Sequence, residues 1–317
     1  MSKNKKQKKA SALWLIPAAG AAVFTGELYR YMFCRKGSKL FSAFESGKGH
    51  EGGYYQFRDE ATERFRKIPH KTWSILSKRG DLLKGFYYSC GGQGKRVAFL
   101  IHGYRSEHID TVGMYYDYYR SRDIDIFCCD HTASGESQGD YIGFDVLETE
   151  DCLRWIRVLV EKLGPDVEIL LHGFSMGAAT VMQMSSRCPE NVKFIVEDSG
   201  YQNARASLKH QIGPLYQPMR LMNRAVAKYD IDDSDVTESL LRSRIPMLFV
   251  HGEEDRLVPF ENGPRLYELY EGEKDCLFQP GTRHIETMYT SPQEYAAKLD
   301  SFVEKYFSPA AVENKQE

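Results

Sequence analysis

Apolar residues along this chain alternate between two rhythms. Mostly apolar runs of about five residues recur at 97–101, 124–129, 167–171, 192–196 and 246–250, with a shorter one at 276–278. Runs of that length between turn signals read as strands buried on both faces. Other stretches carry helical spacing instead. Leu153, Ile156, Val160 and Leu163 mark one helix, closed by Gly164-Pro165, and Tyr295, Leu299, Phe302 and Tyr306 mark the last. Strands alternating with helices predict an α/β fold with a parallel sheet covered on both faces. Ahead of them, 72–78 and 82–88 flank Arg79-Gly80-Asp81, which predicts an antiparallel hairpin opening the sheet. The tyrosines at 115, 116, 118 and 119 read as core and surface helix rather than as a ligand platform. No internal repeat stands out.

The junction after the run at 167–171 carries the most specific chemistry. Gly173-Phe174-Ser175-Met176-Gly177 lies between a strand and the helical segment 178–184. A G-x-S-x-G in that setting is a nucleophile elbow, a turn too sharp for side chains on both flanks of the serine. It lifts the hydroxyl above the strand ends, beside the free N–H groups of the following helix.

An active serine needs a base, an orienting acid and an oxyanion site. His284, in Gly281-Thr282-Arg283-His284, is the candidate base. Asp255, in the loop 251–259, is the candidate acid, with Asp198 as a rival at the end of the preceding strand. Ser175, Asp255 and His284 follow one another in the chain order serine, acid, histidine. The run at 97–101 leads into His102-Gly103-Tyr104, so the backbone N–H groups of Tyr104 and Met176 are the candidate oxyanion donors. His102 reads as structural, its ring pinning the loop by hydrogen bonding.

These motifs make the family resemblance plain. The chain resembles α/β-hydrolases of the serine aminopeptidase/monoacylglycerol lipase-like group, the Bem46-like branch. The matching stretches are 100–104, Asp130 with 134–139, 172–177, 251–259 and His284, spread in order over most of residues 70–307. The resemblance implies an α/β-hydrolase fold, a mostly parallel eight-stranded sheet with helices on both faces and a small helical cap. It also implies a serine hydrolase that uses no cofactor or metal. One stretch departs from the family, whose members often carry Arg and Gly-rich residues after the aspartate, where this chain reads Asp130-His131-Thr132-Ala133-Ser134. That loop is structural in the family, so the change bears on pocket shape more than on catalysis. The insertion at 201–243 corresponds to the cap; its apolar side either packs on the core or lets methionine and tyrosine line an acyl pocket.

The expected reaction is cleavage of a small-molecule carboxylic ester through an acyl-enzyme. A peptidase, thioesterase or acyltransferase would use the same residues, and a membrane-tethered binding protein without turnover is the alternative of another class.

Composition changes this picture only at the N-terminus. The 317 residues are 42% hydrophobic and 27% charged with net charge −2, the profile of a globular protein. Without Lys3, Lys5, Lys6, Lys8 and Lys9, 37 basic residues face 44 acidic ones, and nothing in that body attracts nucleic acid. The lysines form a basic tail over residues 1–10, and an uncharged apolar stretch follows at 12–25. Residues 11–33 therefore read as a membrane anchor or signal segment, with a peripheral amphipathic lead-in as a third reading. Residues 34–69 read as a tether and lead-in, 70–307 as the hydrolase domain and 308–317 as a polar tail. An anchor with its basic side cytoplasmic puts the catalytic domain outside the cytoplasm, the alternative being a cytoplasmic enzyme. Seven cysteines exclude complete intramolecular pairing, and none shows C-x-x-C spacing, so zinc and redox motifs are absent from the sequence.

Overall fold

A computed structural model describes residues 20, 22–38, 53–91, 93–110 and 112–308. Helix α1 (22–33) and helix α2 (Gly53–Phe65) precede strands β1 (Lys71–Leu76), β2 (Leu82–Tyr88) and β3 (Arg96–Ile101). Then follow α3 (Tyr116–Arg120), β4 (Asp125–Cys129), α4 (Val146–Leu163), β5 (Glu168–Phe174), α5 (Met176–Met184) and β6 (Val192–Asp198). An excursion of α6 (Ala204–Ile212), α7 (Tyr216–Val226) and α8 (Thr237–Arg242) leads to β7 (Met247–Gly252). The chain continues with α9 (Asn262–Leu269), β8 (Lys274–Gln279), α10 (Thr287–Thr290) and α11 (Pro292–Tyr306).

The strands form one eight-stranded sheet in the order β1-β2-β4-β3-β5-β6-β7-β8. The β1–β2 and β2–β4 pairs are antiparallel and the rest are parallel, so the predicted hairpin opens the sheet with Lys71 opposite Tyr87. Alternate residues of each strand feed two separate cores, one per face. Val97, Phe99 and Ile101 of β3 join Trp155 and Leu159 of α4 and Met182 of α5 on one side. Ala98 and Leu100 join Phe65 of α2, Tyr115 and Tyr119, and Tyr295 and Leu299 of α11 on the other. Cys128 and Cys129 divide between the two cores for the same reason. Both faces of the central strands are covered, which is why those strands read as mostly apolar runs. The tyrosines at 115, 116, 118 and 119 are all buried.

Of the expected anchor or signal segment 11–33, only residues 20 and 22–33 are described. Among the described residues no helix is long and apolar enough to cross a membrane. Tyr29, Met32 and Phe33, three and four residues apart, instead turn one face of α1 into the core of the domain. Burying each such side chain is worth about 1.5–3 kcal/mol, which fastens the helix to protein rather than leaving it for lipid. The described parts of the stretch 34–69 are packed too. Ile142 N–H donates to Phe33 C=O at 2.9 Å, Arg35 N–H donates to Asp140 C=O at 2.9 Å, and Tyr54, Ala61 and Phe65 of α2 are buried. The basic tail 1–10, residues 11–19 of the expected anchor, and residues 309–317 of the polar tail lie outside the described residues.

Candidate active site

The carboxyl ends of β3, β5, β6, β7 and β8 meet at one edge of the sheet, where open α/β sheets carry their ligands. Ser175 follows β5 there as the residue before α5, with φ 55° and ψ −114°. A non-glycine residue in that region stores strain of about 1–3 kcal/mol. Its neighbours make the turn possible by having no side chains. A Cβ on Gly173 would come within 2.2 Å of Gly177 C=O, and one on Gly177 within 2.0 Å of Ile101 C=O. Ser175 N–H donates to Asp198 C=O at 2.8 Å, tying the elbow to the next strand.

His284 follows β8, and its Nδ1 lies 2.6 Å from Asp255 Oδ2. The other carboxylate oxygen of Asp255 accepts the N–H groups of Leu257 and Val258, both at 2.9 Å. Burial alone would raise the Asp255 carboxyl, but hydrogen bonds from His251 and His284 and the N–H of Val258 outweigh it. The group is held well below the usual carboxylate range. An ionised Asp255 accepts a proton-bearing Nδ1, which leaves Nε2 of His284 as the basic nitrogen.

Asp198, the rival acid, is turned into the opposite core. Its oxygens accept from Tyr295 Oη at 2.9 Å, Ser199 Oγ at 2.9 Å and Tyr115 Oη at 3.5 Å. Burial pushes it up to about 6, with the Ser199 and Tyr295 hydroxyls acting against the rise. Asp198 still serves the site at one remove. Ser199 Oγ donates to it and accepts the N–H of Ile285, the residue after His284, at 3.2 Å.

Behind Asp198 runs a directed chain that the sequence did not reveal. Tyr295 donates to Asp198, so it accepts from His172 Nε2–H at 2.8 Å; His172 Nδ1 in turn accepts from Tyr119 at 2.8 Å. Burial lowers His172 to about 3, so the ring is neutral there at any working pH. The only sequence signal was a histidine in an apolar strand and an unusual density of tyrosines.

The linked pKa shift makes a stability prediction. Asp198 binds its proton more tightly folded than unfolded, so its contribution is full below about 3.8 and is lost as pH rises to about 6. Relative to the parent, Asp198→Asn should therefore gain about 2–3 kcal/mol of stability between pH 4 and pH 7. Denaturant unfolding of both proteins at the two pH values checks this. A difference that does not change with pH would contradict the raised carboxyl.

The loop after β3 reaches the elbow from the other side. A Cβ on Gly103 would stand 3.2 Å from Ser175 Cβ, so Tyr104 follows directly beside the nucleophile position. His102 is buried and pins this loop, as expected: Nε2 accepts from His131 N–H at 3.1 Å and Nδ1–H donates to Gly103 C=O at 2.8 Å. Asp130 fastens the neighbouring loops, accepting the N–H groups of His108 at 2.9 Å and Glu136 at 2.7 Å. That is the structural part the departing 130–134 stretch plays.

Two cavities meet at Ser175. A cleft of about 640 Å³ is lined by Tyr104, Ser175 and His284 with Arg58, Arg256 and Arg283. A smaller cavity of about 240 Å³ is lined mostly by apolar groups, including Met176, Phe144, Tyr201 and Leu208. Ser175, Tyr104 and His284 thus share one cleft, Asp255 is buried behind the histidine, and Met176 opens the second cavity.

The family described as Serine hydrolase (FSH1) matches residues 131–287. The Pyrococcus furiosus esterase Pf2001 superposes with TM-score 0.63 at 18% identity, over 77% of this chain and 94% of that one. The chain belongs to the α/β-hydrolase superfamily. It is an enzyme of that superfamily, of the serine hydrolase, esterase-like kind. The hydrolase is also 20% identical to the uncharacterized protein YqkD of Bacillus subtilis, over 76% of this chain and 82% of the relative. Monoglyceride lipase of Mus musculus matches at 27% identity over 39% of the hydrolase and 40% of the lipase.

One group of potential metal ligands occurs among the described residues. Cys129, His131 and Cys152 are buried with their ligand atoms within 4.8 Å of one another, Cys152 joining the other two from α4. All seven cysteines of the hydrolase are free thiols, and burial raises the Cys152 thiol well above its ordinary value. Neutral thiols in an apolar layer pack as small hydrophobes.

Proposed function

We propose that the protein hydrolyses carboxylic esters through an acyl-enzyme intermediate. Ser175 is the nucleophile, His284 the base, Asp255 the orienting acid, and the N–H groups of Tyr104 and Met176 the oxyanion donors. The observation that carries this reading is the 2.6 Å contact between His284 Nδ1 and a buried, ionised Asp255, on the same cleft as a serine held at φ 55°.

Ser175 Oγ attacks the ester carbonyl carbon as its proton passes to His284 Nε2. The carbonyl oxygen takes the negative charge and accepts hydrogen bonds from the two backbone donors, each worth about 3–4 kcal/mol in the transition state. Collapse breaks the bond to the alcohol, which leaves with the proton from His284. Water, deprotonated by the same nitrogen, then releases the acid and restores the serine. The paired cavities support an ester with unlike halves. The small apolar cavity suits an acyl chain. The larger cleft, where Arg58, Arg256 and Arg283 face Asp110, Glu254 and Glu286, suits a polar alcohol. The likeness to an esterase and a monoglyceride lipase supports the same substrate class.

Fluorophosphonate labelling tests the nucleophile, and a panel of p-nitrophenyl esters beside aminoacyl-anilides and acyl thioesters tests the leaving group. The expected result is labelling of the intact chain and turnover of esters above the other two classes. A chain that resists labelling, or that prefers anilides, overturns the proposal.

A further inference from the structure

The smaller cavity has a wall that does not belong to the sheet or to the 201–243 insertion. Tyr31 and Met32 of helix α1 line it together with Tyr104, Phe144, Met176 and Leu208. The helix is held there at several points. The Phe33 ring is fully buried, 5.1 Å from the Tyr29 ring and 5.1 Å from that of Phe144. Phe144 lies in turn 5.3 Å from the Tyr104 ring, so it is sandwiched between the helix and the loop beside Ser175. Tyr29 Oη donates to Asn223 Oδ1 of α7 at 3.1 Å, which joins the helix to the insertion as well.

The carboxyl end of α1 makes a second link. The last carbonyls of a helix lack partners within it and carry its negative dipole end. Here the loop that follows β3 supplies the donors. Tyr104 Oη donates to Met32 C=O at 2.8 Å and accepts from Arg105 Nε at 2.9 Å. The Arg105 guanidinium donates to Cys34 C=O at 3.1 Å and also to Tyr31 C=O. A cation on the negative end of a helix is favourable, and one arginine satisfies two orphan carbonyls.

We propose that helix α1 is a working part of the active site: its Tyr31–Met32 turn sets the length of acyl chain the smaller cavity admits, and its carbonyl end holds the Tyr104 loop in position. The proposal rests on the reading of Ser175 as nucleophile and of Tyr104 N–H as an oxyanion donor. Met32 is the specificity-determining residue, and the Tyr104 and Arg105 side chains are positioning groups. The ligand class is a straight-chain acyl group bounded at its far end by α1.

The test uses full-length protein and p-nitrophenyl acetate, butanoate and octanoate. Met32→Trp fills the cavity and should lower the octanoate-to-acetate ratio of kcat/KM about tenfold or more, since one methylene in a fitted pocket is worth about 10–200-fold. Met32→Ala and Tyr31→Ala should raise the same ratio. Tyr104→Phe should lower kcat for all three esters alike, about tenfold, without moving the ratio. Met32 variants that melt with the parent yet keep its ratio overturn the wall, and Tyr31→Ala decides the point if they fail to fold. An unchanged kcat in Tyr104→Phe overturns the clamp. A parent inert to every ester and to fluorophosphonate defeats the reading of the reaction instead. The cavity is then judged by decanoate binding, read as a thermal shift expected in the parent and lost in Met32→Trp. No shift in the parent overturns the proposal.

Discussion

Replacing Ser175 by alanine is expected to abolish ester hydrolysis and fluorophosphonate labelling while the protein still folds. Loss of a serine nucleophile in another hydrolase costs about 10⁶ in kcat, and what survives comes from binding and the oxyanion donors. Folding survives because the elbow depends on its glycines, which leave room for the backbone of Ile101 and Gly177, and on the bond from Ser175 N–H to Asp198 C=O. Alanine keeps that N–H and fits the same space. It does not relieve the φ of 55°, so Ser175→Ala should melt close to the parent. Ser175→Gly should be the more stable of the two, because glycine adopts positive φ without a steric penalty. Rates, labelling and thermal unfolding check the set together. Activity retained in Ser175→Ala moves the nucleophile elsewhere.

Asp255→Asn should lower kcat about 10⁴-fold, as mis-setting the imidazole tautomer does in a comparable triad. Asp198→Asn should lower it far less. Asp198 ends β6 and Asp255 lies in the loop after the neighbouring β7, but they face different partners. Asp255 Oδ2 lies 2.6 Å from His284 Nδ1 and the carboxyl is held low, so it is anionic whenever the histidine needs an acceptor. Asp198 is pushed up to about 6 and accepts tyrosine and serine hydroxyls. Its substitution reaches His284 only through Ser199 and the N–H of Ile285, a change of loop position rather than of tautomer. Steady-state kinetics of both variants decides the ranking, and the reverse order would assign the acid to β6.

At the N-terminal segment the sequence pattern and the described structure bear on different residues. Residues 12–25 are apolar and follow a lysine cluster, the pattern of a helix entering lipid. Residues 12–19 lie outside the described ones, whereas the described part of the segment packs on protein, which hydropathy alone does not foresee. Tyr29, Met32 and Phe33 are covered by Phe144 and the core beneath it, contacts made across more than a hundred residues of chain. Nor does the sequence show that Cys152 of α4 comes beside Cys129 and His131.

What the sequence determined by itself was local or periodic. The parallel strands and their helices were legible because burial on both faces forces mostly apolar runs, and the hairpin because Arg79-Gly80-Asp81 separates two strand-like segments. The elbow was legible because only a glycine at 173 and at 177 avoids the backbone of Gly177 and Ile101, so the chemistry of the turn is written in five consecutive letters. The tertiary structure alone decided which aspartate faces His284. Asp198 at the end of β6 and Asp255 in the loop after β7 lie at the same edge of the sheet, and their surroundings, tyrosine hydroxyls for one and a histidine for the other, come from distant parts of the chain. It alone also decided that Tyr31 and Met32 stand beside Ser175, because the walls of a cavity are set by packing between elements and leave no period or spacing in the sequence.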